Sequence, residues 1–288
     1  MKILVTGANG QLGHCLQDLS KTEAYGHHEY LFTDVDELDI CDISAIQAYV
    51  AENHPDVIIN AAAYTAVDKA EDEIEQAYRL NRDAVANLAQ VAYSEHLYLV
   101  HISTDYIFSG EDCHPYTVET ATNPKSIYGK SKAAGENVIK DSGCNATIIR
   151  TSWLYSEYGH NFVKTMLKLG RERAELNVVF DQIGGPTYAG DLANAILTSL
   201  TYNINKSGVQ TYHYANEGAI SWFDFTQAIM DIAGIKCGIN AIFTSEYPAK
   251  APRPAYSVFD LSKIKKELNL KIPYWRNSLI LVINKLQQ

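Results

Sequence analysis

No apolar run in the 288 residues approaches the ~20 needed to cross a bilayer, so a membrane-spanning helix is not expected. Cysteine is sparse. Cys15, Cys41, Cys113, Cys144 and Cys237 are odd in number, scattered and never spaced C-x-x-C, which argues against a disulfide framework or a thiolate metal or redox site. Positive charge is in deficit: 24 Lys and Arg against 34 Asp and Glu leave a net charge of −10, without the basic footprint that a nucleic acid or anionic membrane would require. No secretory leader is expected, because Met1 runs straight into "KILVT" with no apolar h-region or small-residue cleavage site behind it. No internal repeat or low-complexity tract interrupts the chain. The expectation is a soluble, cytoplasmic protein with reduced thiols and no nucleic-acid or membrane partner.

What is present suits a globular enzyme with a sizeable core: 47% hydrophobic and 20% charged residues. Short runs rich in β-branched residues recur at "KILVT", "EYLFTD", "DVIINAAA", "LYLVHISTD" and "ATIIRTSWLY", with helix-like stretches between them. In "VANLAQVAYSE" the spacing puts Val85, Leu88, Ala89 and Ala92 on one helical face. Buried strands alternating with amphipathic helices predict an α/β fold, a Rossmann-like doubly wound parallel sheet. After Trp153 the rhythm changes. A nucleotide-binding domain over 1–153 plus about 187–215 is expected, the later helix and a strand near Tyr212 returning to it. A smaller mixed α/β substrate domain takes about 154–186 plus 216–288.

"TGANGQLG" places Gly7, Gly10 and Gly13 directly after the first strand, with Gln11 to Leu19 reading as a helix. Glycines let the backbone turn tightly and come close to a phosphate, and a helix N-terminus offers free N–H groups to a pyrophosphate. A tight strand-to-helix turn without a ligand is the plainer alternative. The second strand ends at Asp34, where a carboxylate accepts hydrogen bonds from an adenosine ribose and repels a 2′-phosphate, favouring NAD. Asp39 and Ile40 follow at a place suited to the adenine. "NAAAYT" closes the third strand with small side chains that let a flat or phosphorylated ligand approach, or simply pack beneath a helix.

"SIYGKSKAAGE" carries Tyr128 and Lys132 four residues apart, on one face of a helix. A phenol of ordinary pKa ~10 is a poor acid or base at neutral pH. A neighbouring ammonium is expected to lower that value and make the pair a usable acid–base. The fourth strand ends "HISTDYIF", which puts Ser103 and Thr104 at the carboxyl edge of the sheet, where a hydroxyl can orient a substrate carbonyl. Arg253, in the Pro-rich "PAKAPRPAYS", offers a guanidinium for a diphosphate or else belongs to a surface loop. "RERAE" from Arg171 reads as a solvated helix face and His101 as a satisfied core residue.

Taken in order, "TGANGQLG", "PDVIINAAAYTAVDKAE", "STDYIFSG", "IYGKSKAAGE", "RTSWLY", "VVFDQIGGPTYAGDLA" and "RPAYSVFD" make the chain resemble the extended short-chain dehydrogenase/reductases, and within them the dTDP-4-dehydrorhamnose reductase family. The resemblance runs nearly end to end. It implies that Gly10, Gln11 and Leu12 contact the pyrophosphate of NADPH or NADH, Asp34 the ribose, Asp39 and Ile40 the adenine, and Ala62, Ala63, Tyr64 and Thr65 the middle of the cofactor. It implies Thr104, Tyr128 and Lys132 as the catalytic set, the latter two also touching the cofactor, with Asn81 supporting the lysine through water. Thr104, Asp105 and Trp153 would hold the dTDP-sugar. The implied reaction is hydride transfer to the C4 keto group of a 4-keto sugar nucleotide.

The chain departs from its relatives at one point. Some are described as dimers bridged by magnesium through glutamates, at positions that here are Cys15 and Gly190. Asp191 could substitute only in part, so no metal site is expected, and a homodimer stays open. Two other readings stand beside the reductase: a reductase or epimerase of another nucleotide-sugar, and a non-catalytic regulatory subunit of the methionine adenosyltransferase type.

Overall fold

The computed structural model covers all 288 residues. Its centre is a six-stranded parallel sheet. Five strands are β1 (Lys2–Thr6), β2 (Glu29–Thr33), β3 (Val57–Asn60), β4 (Tyr98–Thr104) and β5 (Ala146–Thr151). The sixth, Val209–Tyr214, pairs with β5, and the spatial order is β2, β1, β3, β4, β5, then the sixth. The strands are apolar on both faces because helices cover both sides. Ile3, Val5, Ile59 and Val100 point into one cluster with helix α1 (Gln11–Leu19) and helix Ala189–Asn203. Their neighbours Leu4, Ile58 and Leu99 point into the other, against helices Ile43–Asn53 and Ala84–Ser94 and Ile139 of helix Ile127–Ser142.

A second body is built from helices Phe162–Glu172, Trp222–Ala233 and Trp275–Gln287 and the parallel pair Glu175–Val179 with Gly238–Ile242. Its own core includes Val163, Phe225, Ile229, Leu279 and Ile283. Caps fix the starts of two of these helices: Asn161 accepts from Lys164 N, and Ser221 and Asp224 form a capping box. Residues 261–272, expected with the smaller unit, pack elsewhere. Ile264, Leu268 and Ile272 join the cluster on the sheet, and Tyr212 of the sixth strand bonds Glu267 at 2.8 Å.

Helix Ile127–Ser142 begins where Ser126 accepts from Gly129 N at 3.1 Å and stops at Gly143, with φ of 78°. Its small residues are explained by close approach. A Cβ at Gly129 would lie 2.2 Å from Tyr106 O, and one at Gly135 would lie 2.2 Å from Asn81 O. Both glycines let the helix lie directly on backbone, which brings Tyr128 and Lys132 to the carboxyl edge of the sheet.

Candidate active site

The carboxyl ends of the strands open into a cleft of about 1170 Å³ lined from the glycine loop to Trp153. Such crevices at strand ends are where open α/β sheets bind ligands. Gly7 has φ of 71°, and a Cβ on it would lie 2.6 Å from Ala62 N, so the loop after β1 sits against the end of β3. Gly10, Gln11 and Leu12 line the cleft, and the first turn of α1 has no side-chain cap. Its N–H groups are therefore available to an anion.

Asp34, Asp39, Ile40, Ala62, Ala63 and Thr65 line the same cleft. The Asp34 carboxylate also organises the loop, accepting from Asn9 N at 2.9 Å and Val35 N at 2.8 Å. Two expected members do not face the space. Gly13 is buried in α1, where a Cβ would meet Ala8 O at 2.4 Å, so its task is helix packing. Tyr64 does not line the cleft: its hydroxyl donates to Glu73 at 2.6 Å and its backbone is bonded to Asn81. The free glycine loop, the uncapped helix start and the alanine edge together fit a dinucleotide.

Thr104, Asp105, Tyr128 and Lys132 converge at the deep end. The Thr104 hydroxyl donates to Asp105 Oδ1 at 2.9 Å, while Asp105 Oδ2 is buried without a partner. Burial raises the Asp105 carboxyl to about 6. Asp105 lines the cleft, and a buried carboxylate oxygen without a hydrogen-bond partner is a ready acceptor for a hydroxyl.

Lys132 is 2% exposed and donates to Ile102 O at 2.6 Å. Burial draws its amine down to about 8, with Glu136 opposing. Tyr128 corrects the expectation of an acidified phenol. Burial pushes it up to about 12, the Thr104 hydroxyl opposing and the Asp105 carboxylate adding to the rise. Lys132 is removed from water, and Tyr128, half-buried in the cleft wall, is desolvated by the atoms packed around it, which penalises ammonium and phenolate alike and leaves a protonated phenol at rest.

Asn81, expected to reach Lys132 through water, lies on a single π-turn, Arg79–Asp83, where its side-chain amide bonds the Tyr64 backbone at 2.9 and 3.0 Å and Ser131 Oγ at 3.0 Å. Two further expectations change. Arg253 does not line the cleft. Its guanidinium is held by Asp68 at 2.6 Å, an acid 185 residues earlier that the Pro-rich loop reaches by packing Pro254 on Gly110. Trp153 does line the cleft, but one ring face is covered by Trp222, with centroids 3.5 Å apart. At the suspected metal position Cys15 is buried, its thiol pushed up to about 12 first by burial, and Asp191 is engaged by Asn216 at 2.7 Å and Ser278 at 2.5 Å.

Other lining residues carry no local signal in the sequence. Arg79 stands 4.0 Å from the Asp39 carboxylate in the cleft wall. Gly159, His160 and Asn161 come from the far side, tied by Asn161 Nδ2 donating to Gln11 Oε1 at 2.9 Å and Ser156 Oγ donating to the same oxygen at 3.1 Å.

The model of the RmlD substrate binding domain matches residues 1–288. The chain belongs to the dTDP-4-dehydrorhamnose reductase family. It is 41% identical over 286 residues to a dTDP-4-dehydrorhamnose reductase of Aggregatibacter actinomycetemcomitans, covering 96% of this chain and 97% of that one. It is 40% identical to the spore coat polysaccharide biosynthesis protein SpsK of Bacillus subtilis, covering 96% and 95%. Among solved structures, the family member from Bacillus anthracis in complex with NADP superposes with a TM-score of 0.91 at 41% identity, over 99% of both chains. The member from Clostridium acetobutylicum does so with 0.94 at 42% identity over the whole of both chains. The chain is thus an NAD(P)H-dependent oxidoreductase of this family. None of its helices is long and apolar enough to cross a membrane.

Proposed function

We propose that this protein is a cytoplasmic enzyme that reduces the C4 keto group of dTDP-4-dehydro-L-rhamnose to give dTDP-L-rhamnose. The observation that carries the reading is the meeting of Thr104, Tyr128 and Lys132 in one cleft continuous with the glycine loop, in a chain matched along its whole length by reductases of that name. The dinucleotide supplies the hydride when bound.

The chain's own residues do the rest. Gly10, Gln11 and Leu12 hold the pyrophosphate, Asp34, Asp39 and Ile40 the adenosine, and Ala62, Ala63 and Thr65 the middle. Thr104 orients the keto oxygen, Asp105 takes a sugar hydroxyl on its free oxygen, and Trp153 borders the nucleotide-sugar. Tyr128 gives its proton to the oxygen at C4. An alkoxide is a stronger base than a phenolate, so a phenol raised to about 12 remains a competent donor. Lys132 stabilises the phenolate left behind, because the attraction of opposite charges strengthens in a dry cleft.

The test is oxidation of NADH or NADPH by the purified protein given dTDP-4-dehydro-L-rhamnose. No oxidation with either cofactor overturns the reading. Tyr128→Phe should cut turnover at least ~10²-fold while leaving dinucleotide affinity nearly unchanged; unaltered turnover would remove Tyr128 from the mechanism.

A further inference from the structure

Lys132 has a partner that the proposed reaction does not use. The sheet register sets Thr6 beside Asn60 and Asn60 beside His101, on the face that helix Ile127–Ser142 covers. Thr6, Asn60, His101 and Lys132 are 1%, 1%, 0% and 2% exposed, so their polar atoms must satisfy one another.

The directions of the hydrogen bonds along this row are forced. Ala62 N donates to Asn60 Oδ1 at 3.1 Å, and the Thr6 hydroxyl donates to the same atom at 2.8 Å. A backbone N–H can only donate, so that atom is the amide oxygen, and the amide nitrogen is the one facing His101 Nδ1 at 3.1 Å. Nδ1 must then accept. Burial, with Lys132 beside it, holds the imidazole proton affinity well below the ordinary value, so the ring is uncharged and its one proton sits on Nε2. That N–H faces Lys132 Nζ at 3.4 Å.

An uncharged amine satisfies this arrangement completely. One N–H goes to Ile102 O, the lone pair accepts from His101 Nε2, and the second N–H is left for the cleft. An ammonium has no lone pair and would set N–H against N–H. We propose that His101 is a positioning residue whose tautomer is fixed by Asn60 and whose Nε2–H opposes protonation of Lys132, making the amine readier than an ordinary lysine to release a proton into the cleft. Its bearing on the return of a proton to Tyr128 rests on the reductase reading; the tautomer and its effect on the amine do not.

Few charges compete for this control. On the helix, Tyr128 lies one turn before Lys132 and Glu136 one turn after it. The Glu136 carboxylate is already bonded by Arg150 at 2.9 and 2.7 Å and by Lys140 at 3.2 Å. Asp105 lies on the Tyr128 side. From β3 comes Asn60, which carries no charge, and from β4 comes His101 itself.

Nitrogen NMR of histidine-labelled protein reads the tautomer, and carbon NMR of lysine Cε reads the Lys132 titration, its signal being the one missing in Lys132→Met. We expect a pyrrole-type Nε2 and a pyridine-type Nδ1 for His101 at neutral pH. In His101→Asn the side-chain oxygen can keep the bond from Asn60, so the fold is retained, while nothing reaches Nζ; the Lys132 midpoint should rise by about one pH unit. A proton found on Nδ1, or a midpoint that stays or falls in His101→Asn, overturns the proposal. Neither measurement involves turnover, so a protein inactive on the dTDP-sugar would sink the proposed function without touching this result.

Discussion

His213 accepts from Arg150 Nη1 on its Nε2 at 3.2 Å and donates from Nδ1 to Tyr116 O at 3.0 Å, so both ring nitrogens are committed with the ring uncharged. Protonating Nε2 would turn it against a guanidinium. Burial, followed by Arg150, accordingly lowers the His213 pKa to about 3. His101 is shifted in the same direction by burial and Lys132. For a histidine with a depressed folded pKa, the unfolded chain binds the extra proton first, so stability is complete above the unfolded value of ~6.5 and falls as pH drops below it. Each histidine should contribute a slope of about 1.4 kcal/mol per pH unit across that range. Urea unfolding between pH 7 and pH 4.5 checks this. A flat profile through pH 5.5 would contradict the neutral, bonded state of both rings.

Gly135 carries a second prediction, because two effects oppose each other there. Alanine in a helix interior is favoured over glycine by about 1 kcal/mol. Its Cβ, however, would lie 2.2 Å from Asn81 O, a backbone atom of the π-turn that cannot swing aside. Overpacking of this kind costs about 1–3 kcal/mol or more, so the clash should win. Gly135→Ala is expected to lower the urea midpoint and, by tilting the helix that bears Tyr128 and Lys132, to reduce turnover as well. Unchanged or raised stability would mean that the helix is free to back away.

The parts of the site legible in the sequence were those with a local cause. Gly7 is needed where φ is 71°, and Tyr128 and Lys132 share a face because a helix repeats every 3.6 residues. The continuous apolar runs, such as Ile3, Leu4 and Val5, likewise announced a sheet buried on both sides. What failed to show depended on pairs far apart in the chain. Arg253 looked like a phosphate ligand because nothing near it in sequence reveals Asp68 as a competitor. Lys132 looked like a simple ammonium beside a phenol because desolvation of both groups, which reverses the expected shift of Tyr128, is a property of the assembled cleft. His101 was placed correctly in the core, but its service to Lys132 follows from a register across three strands.

Gln11 joins the two bodies of the protein at the cleft. Its side-chain oxygen receives both Ser156 Oγ and Asn161 Nδ2, anchoring the segment that also supplies Gly159 and His160 to the lining. Gln11→Ala removes two hydrogen bonds worth about 0.5–1.5 kcal/mol each and frees that segment. Dinucleotide affinity should weaken about tenfold, with little change in kcat once the cofactor is saturating. Fluorescence titration with the reduced cofactor measures it, and an unaltered Kd would show that the anchor does not shape the cofactor site.

Thr104 separates chemistry from binding. Its hydroxyl accepts from Tyr106 N at 3.2 Å and donates to Asp105 Oδ1 at 2.9 Å. In the proposed reaction it turns its proton toward the oxygen at C4, where negative charge grows as the carbonyl is reduced. A donor aimed at developing charge is worth about 10²–10³-fold in kcat. Thr104→Val keeps the shape and removes the donor, so kcat should fall by about that factor while KM for the dTDP-sugar changes little. Thr104→Ser should recover most of the loss, because the hydroxyl returns without the methyl group. If the valine variant turned over as fast as the parent, charge at C4 would have to be met by Tyr128 alone, and Thr104 would be reduced to capping the turn that starts at Asp105.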